Sequence, residues 1–267
     1  VEEYARDTAF VPESCEDEVV EMLTSLRKNV IRYTSDGIGA REEYFNAEQN
    51  AIVAKNAELY YRKMIRGGTE TWNIRDNHMM DTLKRLMEFY GKDSKSVVWA
   101  HNTHIGDARQ TDMVDVGMIN IGQLVRDHAT EKNAALVGFG TYEGTVIAAR
   151  KWGENMQRMY VPPAMNGSWD NLLHRLGDGK DALLIFRKGN GRKNKEFVEQ
   201  LMDKRLGQRA IGVVYNPEYE MYGNYVLTTL SKRYDAFIHI DRTHAIQPLH
   251  MPEINDDDPP ETFPSGL

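Results

Sequence analysis

The apolar residues of this chain change their spacing near Gly91, and that change limits the possible folds more than any other feature. Before it, apolar side chains recur at helical intervals. Glu16 to Ile31 carries Val19, Val20, Met22, Leu23, Leu26, Val30 and Ile31. Glu42 to Arg66 carries Phe45, Ala51, Ile52, Ala54, Leu59, Tyr60 and Met64, and Gly67-Gly68 stops it. Thr71 to Tyr90 carries Ile74, Met79, Leu83, Leu86, Met87 and Phe89. After Gly91, short apolar runs alternate with helix-like stretches. Ser96 to Ala100, Ala134 to Phe139, Thr145 to Ala149, Ala182 to Phe186, Ala210 to Val214 and Ala236 to Ile240 read as strands. Ile121 to His128, Trp169 to Leu176 and Lys195 to Asp203 read as helices between them. This order predicts an α/β fold with a central, largely parallel sheet flanked by helices, and a helical N-terminal portion.

The 267 residues are enough for one large α/β domain or two small ones. We expect it over 1–251, lacking an N-terminal βα portion because no strand precedes the helices. A flexible tail rich in Asp and Pro is expected over 252–267. The formal net charge of -7 argues against a nucleic-acid partner, because phosphate binding needs a basic footprint. The one basic cluster, Arg187-Lys188-Gly-Asn-Gly-Arg192-Lys193-Asn-Lys195, reads as a solvated loop leading into a helix. A single cysteine, Cys15, excludes an internal disulfide and fits a reducing compartment. Its acidic neighbours Glu13, Glu16, Asp17 and Glu18 disfavour a reactive thiolate. No apolar run is long enough to span a membrane, and no signal peptide is visible. Cytoplasmic localisation is the resulting expectation.

Val97 to Asp107 is the densest candidate site. An apolar, β-branched run stops at His101, and two histidines, an asparagine, a glycine and an aspartate follow within seven positions. Strand ends deliver side chains to clefts. His101 and His104 there suit proton transfer, with a carboxylate such as Asp107 to orient one of them. The same three residues also suit a divalent metal. A turn capping the next helix is the plain alternative. Arg75, in Trp72-Asn73-Ile74-Arg75-Asp76-Asn77-His78-Met79, is a planar cation able to hold an oxyanion, or else a surface ion-pair partner. Gly138-Phe139-Gly140-Thr141-Tyr142-Glu143-Gly144-Thr145 reads as a loop letting backbone approach a ligand, without the spacing of a dinucleotide fingerprint. Ser168 reads as the N-cap of a helix carrying His174. His239 and His244 flank Asp241-Arg242 at another strand end. No Gly-x-Ser-x-Gly elbow, Walker lysine loop, His-Glu-x-x-His or paired-cysteine zinc pattern is present.

Taken in order, several of these pieces resemble the erythromycin esterase-like family. They are Trp72-Asn73-x-Arg75-Asp76-x-x-Met79, Trp99-Ala100-His101-Asn102-x-His104-x-Gly106-Asp107, Gly122-x-Leu124, Gly138-Phe139-Gly140-Thr141-Tyr142-x-Gly144-Thr145-Val146 and Tyr234-Asp235-Ala236-Phe237-Ile238. The resemblance runs from about Asn46 to Leu249. It implies an α/β fold and hydrolysis of an ester or lactone by water activated by histidine and carboxylates, with no serine nucleophile. His101 and His104 fall on the family's C-terminal histidine pair, and Arg75 on a motif position near it. The family's first half carries Gly-Glu-x-x-His, and no such motif occurs here. The chain therefore resembles roughly the family's C-terminal two-thirds.

Three readings follow. In the first, the chain is an esterase, or the larger part of one, acting on a small-molecule ester without metal or cofactor. Its catalytic residues are His101, His104 and Arg75, and its substrate-binding residues are Asn102, Asp107, Tyr142 and Glu143. In the second, the hydrolase holds a metal at His101, His104 and Asp107. In the third, the chain is a binding or regulatory module. A membrane partner is not expected in any of them.

Overall fold

The structure is a computed structural model and describes residues 16–30, 38–64, 68–129, 133–186 and 203–246. They divide into a helical unit, up to Val97, and an α/β unit that starts at Val98. Cys15, His250, the tail, the basic cluster from Arg187 to Lys195, and all but Asp203 of the helix expected at Lys195–Asp203 lie outside the described residues.

The helical unit holds α1 (Glu16–Lys28), α2 (Ile38–Met64) and α3 (Thr69–Tyr90). Val19 and Leu23, one turn apart on α1, meet Ala51 and Ile52 of α2 in a small core. Arg27 of α1 binds Glu48 of α2 at 2.8 Å. Phe45 of α2 stacks on Phe89 of α3 at 4.4 Å, and the Asn56 amide bonds His78 at 2.8 Å. Gly91 caps α3 with a positive φ of 91°, its N–H donating to Met87. The three expected helices form. The second begins at Ile38, earlier than its apolar spacing suggested.

The α/β unit is built on a four-stranded sheet of order β2-β1-β6-β3. Its strands are β1 (Val137–Ala148), β2 (Gln157–Val161), β3 (Ala182–Ile185) and β6 (Ala236–Thr243). The central pair, β1 and β6, is parallel, from Val137 opposite Ala236 to Gly144 opposite Thr243. The outer strands run antiparallel, β2 through a hairpin from β1 and β3 against β6. A separate antiparallel pair joins β4 (Leu206–Arg209) to β5 (Tyr225–Thr228). The helices of this unit are α4 (Asn102–Ile105), α5 (Ile121–His128), α6 (Trp169–Gly177), α7 (Glu220–Gly223) and α8 (Leu230–Arg233). Among the described residues, no helix is long and apolar enough to cross a membrane. The α/β class and the helical N-terminal portion stand as expected.

Helix α6 covers one face of the sheet. Ser168 caps it by accepting from the Asn171 N–H, as its sequence suggested. Trp169 and Leu173 bury against Phe237, Leu136, Leu230 and Tyr234, and the Trp169 indole donates to Thr228 of β5 at 2.8 Å.

Three expectations need correction. Ser96–Ala100 does not form a strand. The Phe139 N–H and C=O on the nearby edge of β1, groups a neighbouring strand would take, are bonded instead to the Asn102 side chain. Val97 and Trp99 are 90% and 84% exposed. Ala210–Val214 is irregular apart from a bridge of Val214 to Ala149, and the strand lies just before it, at β4. The glycine-rich stretch from Gly138 is not a ligand loop but the middle of β1. A Cβ at Gly138 would stand 2.6 Å from the Tyr234 ring, and one at Gly140 would stand 2.6 Å from both Asp170 and the Phe237 ring. These glycines let side chains lie against the strand backbone.

Gly140→Ala forces the buried Phe237 ring and Asp170 off the strand, so it is expected to cost about 1–3 kcal/mol of unfolding free energy in urea titrations. Equal stability of the variant and the parent chain would contradict this packing.

Candidate active site

The polar turn after Trp99 is pinned from several sides. His101 caps α4. Its Nδ1 accepts from the Thr103 N–H at 3.3 Å and lies 2.8 Å from the Thr103 hydroxyl. An accepting Nδ1 leaves the proton on Nε2, which donates to the Ile211 carbonyl at 2.9 Å. Desolvation by the surrounding protein, helped by Arg233 and His104, holds the His101 pKa below its ordinary 6.5, although part of the residue reaches solvent. Both ring nitrogens of His101 are thus occupied, and the ring is neutral at pH 7. The Asn102 amide is committed as well, accepting from the Phe139 N–H at 3.1 Å and donating to its carbonyl at 2.5 Å.

Below the turn lies Arg233, almost fully buried at 1% exposure. It donates to the Asn102 carbonyl at 2.9 Å, to Thr228 Oγ1 at 2.8 Å and to Gln208 Oε1 at 3.1 Å. Asn120, also fully buried, caps α5 and donates to the carbonyls of Thr103 at 2.7 Å and Gly106 at 2.5 Å. Gly106 and Gly122 are needed here. A Cβ at Gly106 would meet Arg233 at 2.5 Å, and one at Gly122 would meet the Ile105 carbonyl at 2.3 Å. His104 is buried in the last turn of α4.

Asp107 is buried at the start of the next 3-10 turn. Its Oδ1 accepts from the backbone and Nε of Arg109, and its Oδ2 from the guanidinium groups of Arg109 at 2.8 Å and Arg126 at 3.1 Å. Burial pushes the carboxyl pKa up, but the hydrogen bonds from the two arginines outweigh it and the net shift is below 3.8. Among the described residues, no three His, Cys, Asp or Glu side chains are grouped so as to hold a metal ion.

Tyr142 and Glu143 lie three and four residues further along β1 from Phe139. The Tyr142 ring stacks on the His174 imidazole at 3.6 Å and 10°. Glu143 forms an ion pair with Arg242 across the parallel pair. The backbone there is held by buried Arg209, whose guanidinium donates to the carbonyls of Thr141 at 3.1 Å, Tyr142 at 2.5 Å and Pro162 at 2.7 Å, and pairs with buried Glu220. The Tyr215 hydroxyl completes this network at 2.6 Å from Glu220. Asp170, fully buried under β1, accepts from the Arg209 N–H at 2.8 Å, and burial raises its pKa to about 6.

Arg75 belongs to α3 of the helical unit, with its guanidinium 5.6 Å from the centre of the Trp72 ring. It bonds Tyr60, whose own pKa is raised by burial against the lowering effect of Arg75.

Sequence reading singled out the histidines, Asn102 and Asp107, but not their holders Arg233, Asn120, Gln208, Arg109 and Arg126. No local pattern marks these residues, although Gly122, two residues after Asn120, belongs to a recognised piece.

Fold and site together define an α/β protein with a histidine-bearing turn fastened to a strand edge. The chain matches the erythromycin esterase family over residues 1–243, and it belongs to that family. Three solved structures are similar in fold. A Bacillus cereus protein aligns at 15% identity and a TM-score of 0.63, over 86% of this chain and 53% of that one. A succinoglycan biosynthesis protein aligns at 19% identity and 0.61, over 86% and 51%. A variant of the erythromycin esterase EreC in its open conformation aligns at 13% identity and 0.51, over 85% and 53%. The chain thus spans about half the length of these structures.

The lowered pKa of Asp107 fixes the sign of a pH effect. A carboxylate depressed in the folded state adds stability above its unfolded pKa, and that stability is lost as pH falls through the folded value. Asp107→Asn is expected to lose on the order of 2 kcal/mol at pH 7, moderated by the solvent exposure of Arg109. In urea titrations the gap to the parent chain should narrow below about pH 4. A gap that stays constant down to pH 3 would contradict the assignment.

Proposed function

We propose that this chain carries a catalytic histidine, His104, and the positioning residue His101 of a hydrolase that cleaves a carboxylic ester or lactone with activated water. Family membership over residues 1–243 supports the reaction class, and the observation that carries the reading is the fixed turn from His101 to Asp107. In this reading His101 is a positioning residue, since its nitrogens tie the turn to Ile211 and Thr103. His104, one turn along α4, gives a proton to the leaving alkoxide. Asn102 and Asp107 shape the floor of the site through β1 and the two arginines. Tyr142 and Glu143 extend it along β1 for the substrate. The substrate is a small molecule, with a macrolide lactone as the type implied by the family. A reducing compartment such as the cytoplasm fits the lone cysteine.

His104→Ala is expected to lower kcat for p-nitrophenyl acetate hydrolysis by about 100-fold or more, with the unfolding midpoint unchanged. His101→Ala is expected to lower both activity and stability, because it frees the turn. Full activity in both variants would exclude this site.

A further inference from the structure

His101 has no lone pair to spare, but another histidine of the same unit does. His174, in the second half of α6, places Nδ1 2.7 Å from Asp241 Oδ1 on β6. An ionised carboxylate only accepts, so Nδ1 carries the proton and Nε2 carries the lone pair. Among the described residues no protein group bonds that Nε2. The side chain is 31% exposed, so water reaches it. The ring is held flat by Tyr142 stacked at 3.6 Å. Asp241 is held in turn, its N–H donating to Asp181 Oδ1 at 2.8 Å. Gly179, left-handed at φ +69°, carries the backbone past the pair and donates to the His174 carbonyl at 3.0 Å.

A second observation marks the same place. His239, fully buried on β6, has no hydrogen-bond partner on either ring nitrogen among the described residues, yet its Nε2 stands 3.4 Å from the same Asp241 oxygen. A structural bridge from α6 to β6 needs only one histidine and one carboxylate. It does not explain a second buried imidazole directed at the same oxygen.

We propose that His174 and Asp241 form a general-base pair that activates water for attack on an ester carbonyl beside Tyr142 and Glu143 of β1. This rests on the ester-hydrolase reading above. A water oxygen bonds to the carbonyl carbon as its proton moves to His174 Nε2, and Asp241 stabilises the imidazolium through Nδ1. The C–O bond to the alcohol then breaks as His104 gives the departing oxygen a proton, and the Nε2 proton of His174 returns through solvent to His104. One ester and one water give one acid and one alcohol, and His174 returns to its starting form.

The test uses the full chain and p-nitrophenyl acetate. His174→Gln is expected to lower kcat by about 100-fold with KM within about twofold, and Asp241→Asn to lower kcat by removing the group that fixes the tautomer. In His174→Ala, added imidazole should restore a substantial part of the lost rate, which a merely structural role would not allow. Wild-type hydrolysis with an undiminished rate in His174→Gln overturns this inference and leaves the function above standing. A rate lost in His174→Ala and not recovered by imidazole also overturns it. Absence of hydrolysis by the wild-type chain overturns both.

Discussion

A buried guanidinium organises the α/β unit. Arg233 is enclosed at the end of α8, and the oxygens it reaches belong to a backbone carbonyl, a threonine and a glutamine rather than to a carboxylate. Burying a charge on neutral partners is costly unless the geometry is good, and here desolvation lowers the Arg233 pKa below its usual 12.5. In return one side chain joins α4, β4 and β5. Asn120 adds to this by donating to two more carbonyls of the α4 turn. The orientation of His101 and His104 follows from these two side chains more than from α4, which is only one turn long.

The same logic recurs further along β1. Arg209, paired with Glu220 and bonded to three carbonyls, fixes the backbone at Thr141 and Tyr142. Beside it β1 passes Asp170 and Phe237 at a glycine. The strand is thereby held at two places, Phe139 and Tyr142, about 10 Å apart at the rise of an extended chain. Our proposals assign the histidine turn to the first and the His174–Asp241 pair to the second. A substrate lying along β1 would meet both.

Much of the architecture was legible where burial is apolar. The three N-terminal helices, α5, α6, β3 and β6 came from periodicity, because Leu, Val, Met and Trp residues bury their sides. Each failure has its own physical cause. The buried residues of β4 include Gln208 and Arg209, which no apolar pattern reveals, and the following apolar Ala210–Val214 drew the expected strand past its true position. Ser96–Ala100 has the composition of a strand, yet the Asn102 amide holds the backbone groups of Phe139. Gly138 and Gly140 looked like a ligand loop because glycines that serve a ligand and glycines that admit a ring look the same in sequence. In the site, His101, His104, Asn102 and Asp107 stood out by type and spacing. Their holders come from four other segments, and only the folded chain brings them together.

Imidazole nitrogen NMR of the full chain, with and without an alkyl phosphonate that mimics the tetrahedral intermediate of ester hydrolysis, tests the central claim most directly. The account predicts that His101 stays neutral with its proton on Nε2 throughout, while the His104 signals move on binding and take on a second proton. A His104 spectrum unchanged by a phosphonate that binds the chain, or a His101 ring protonated on Nδ1, would contradict it.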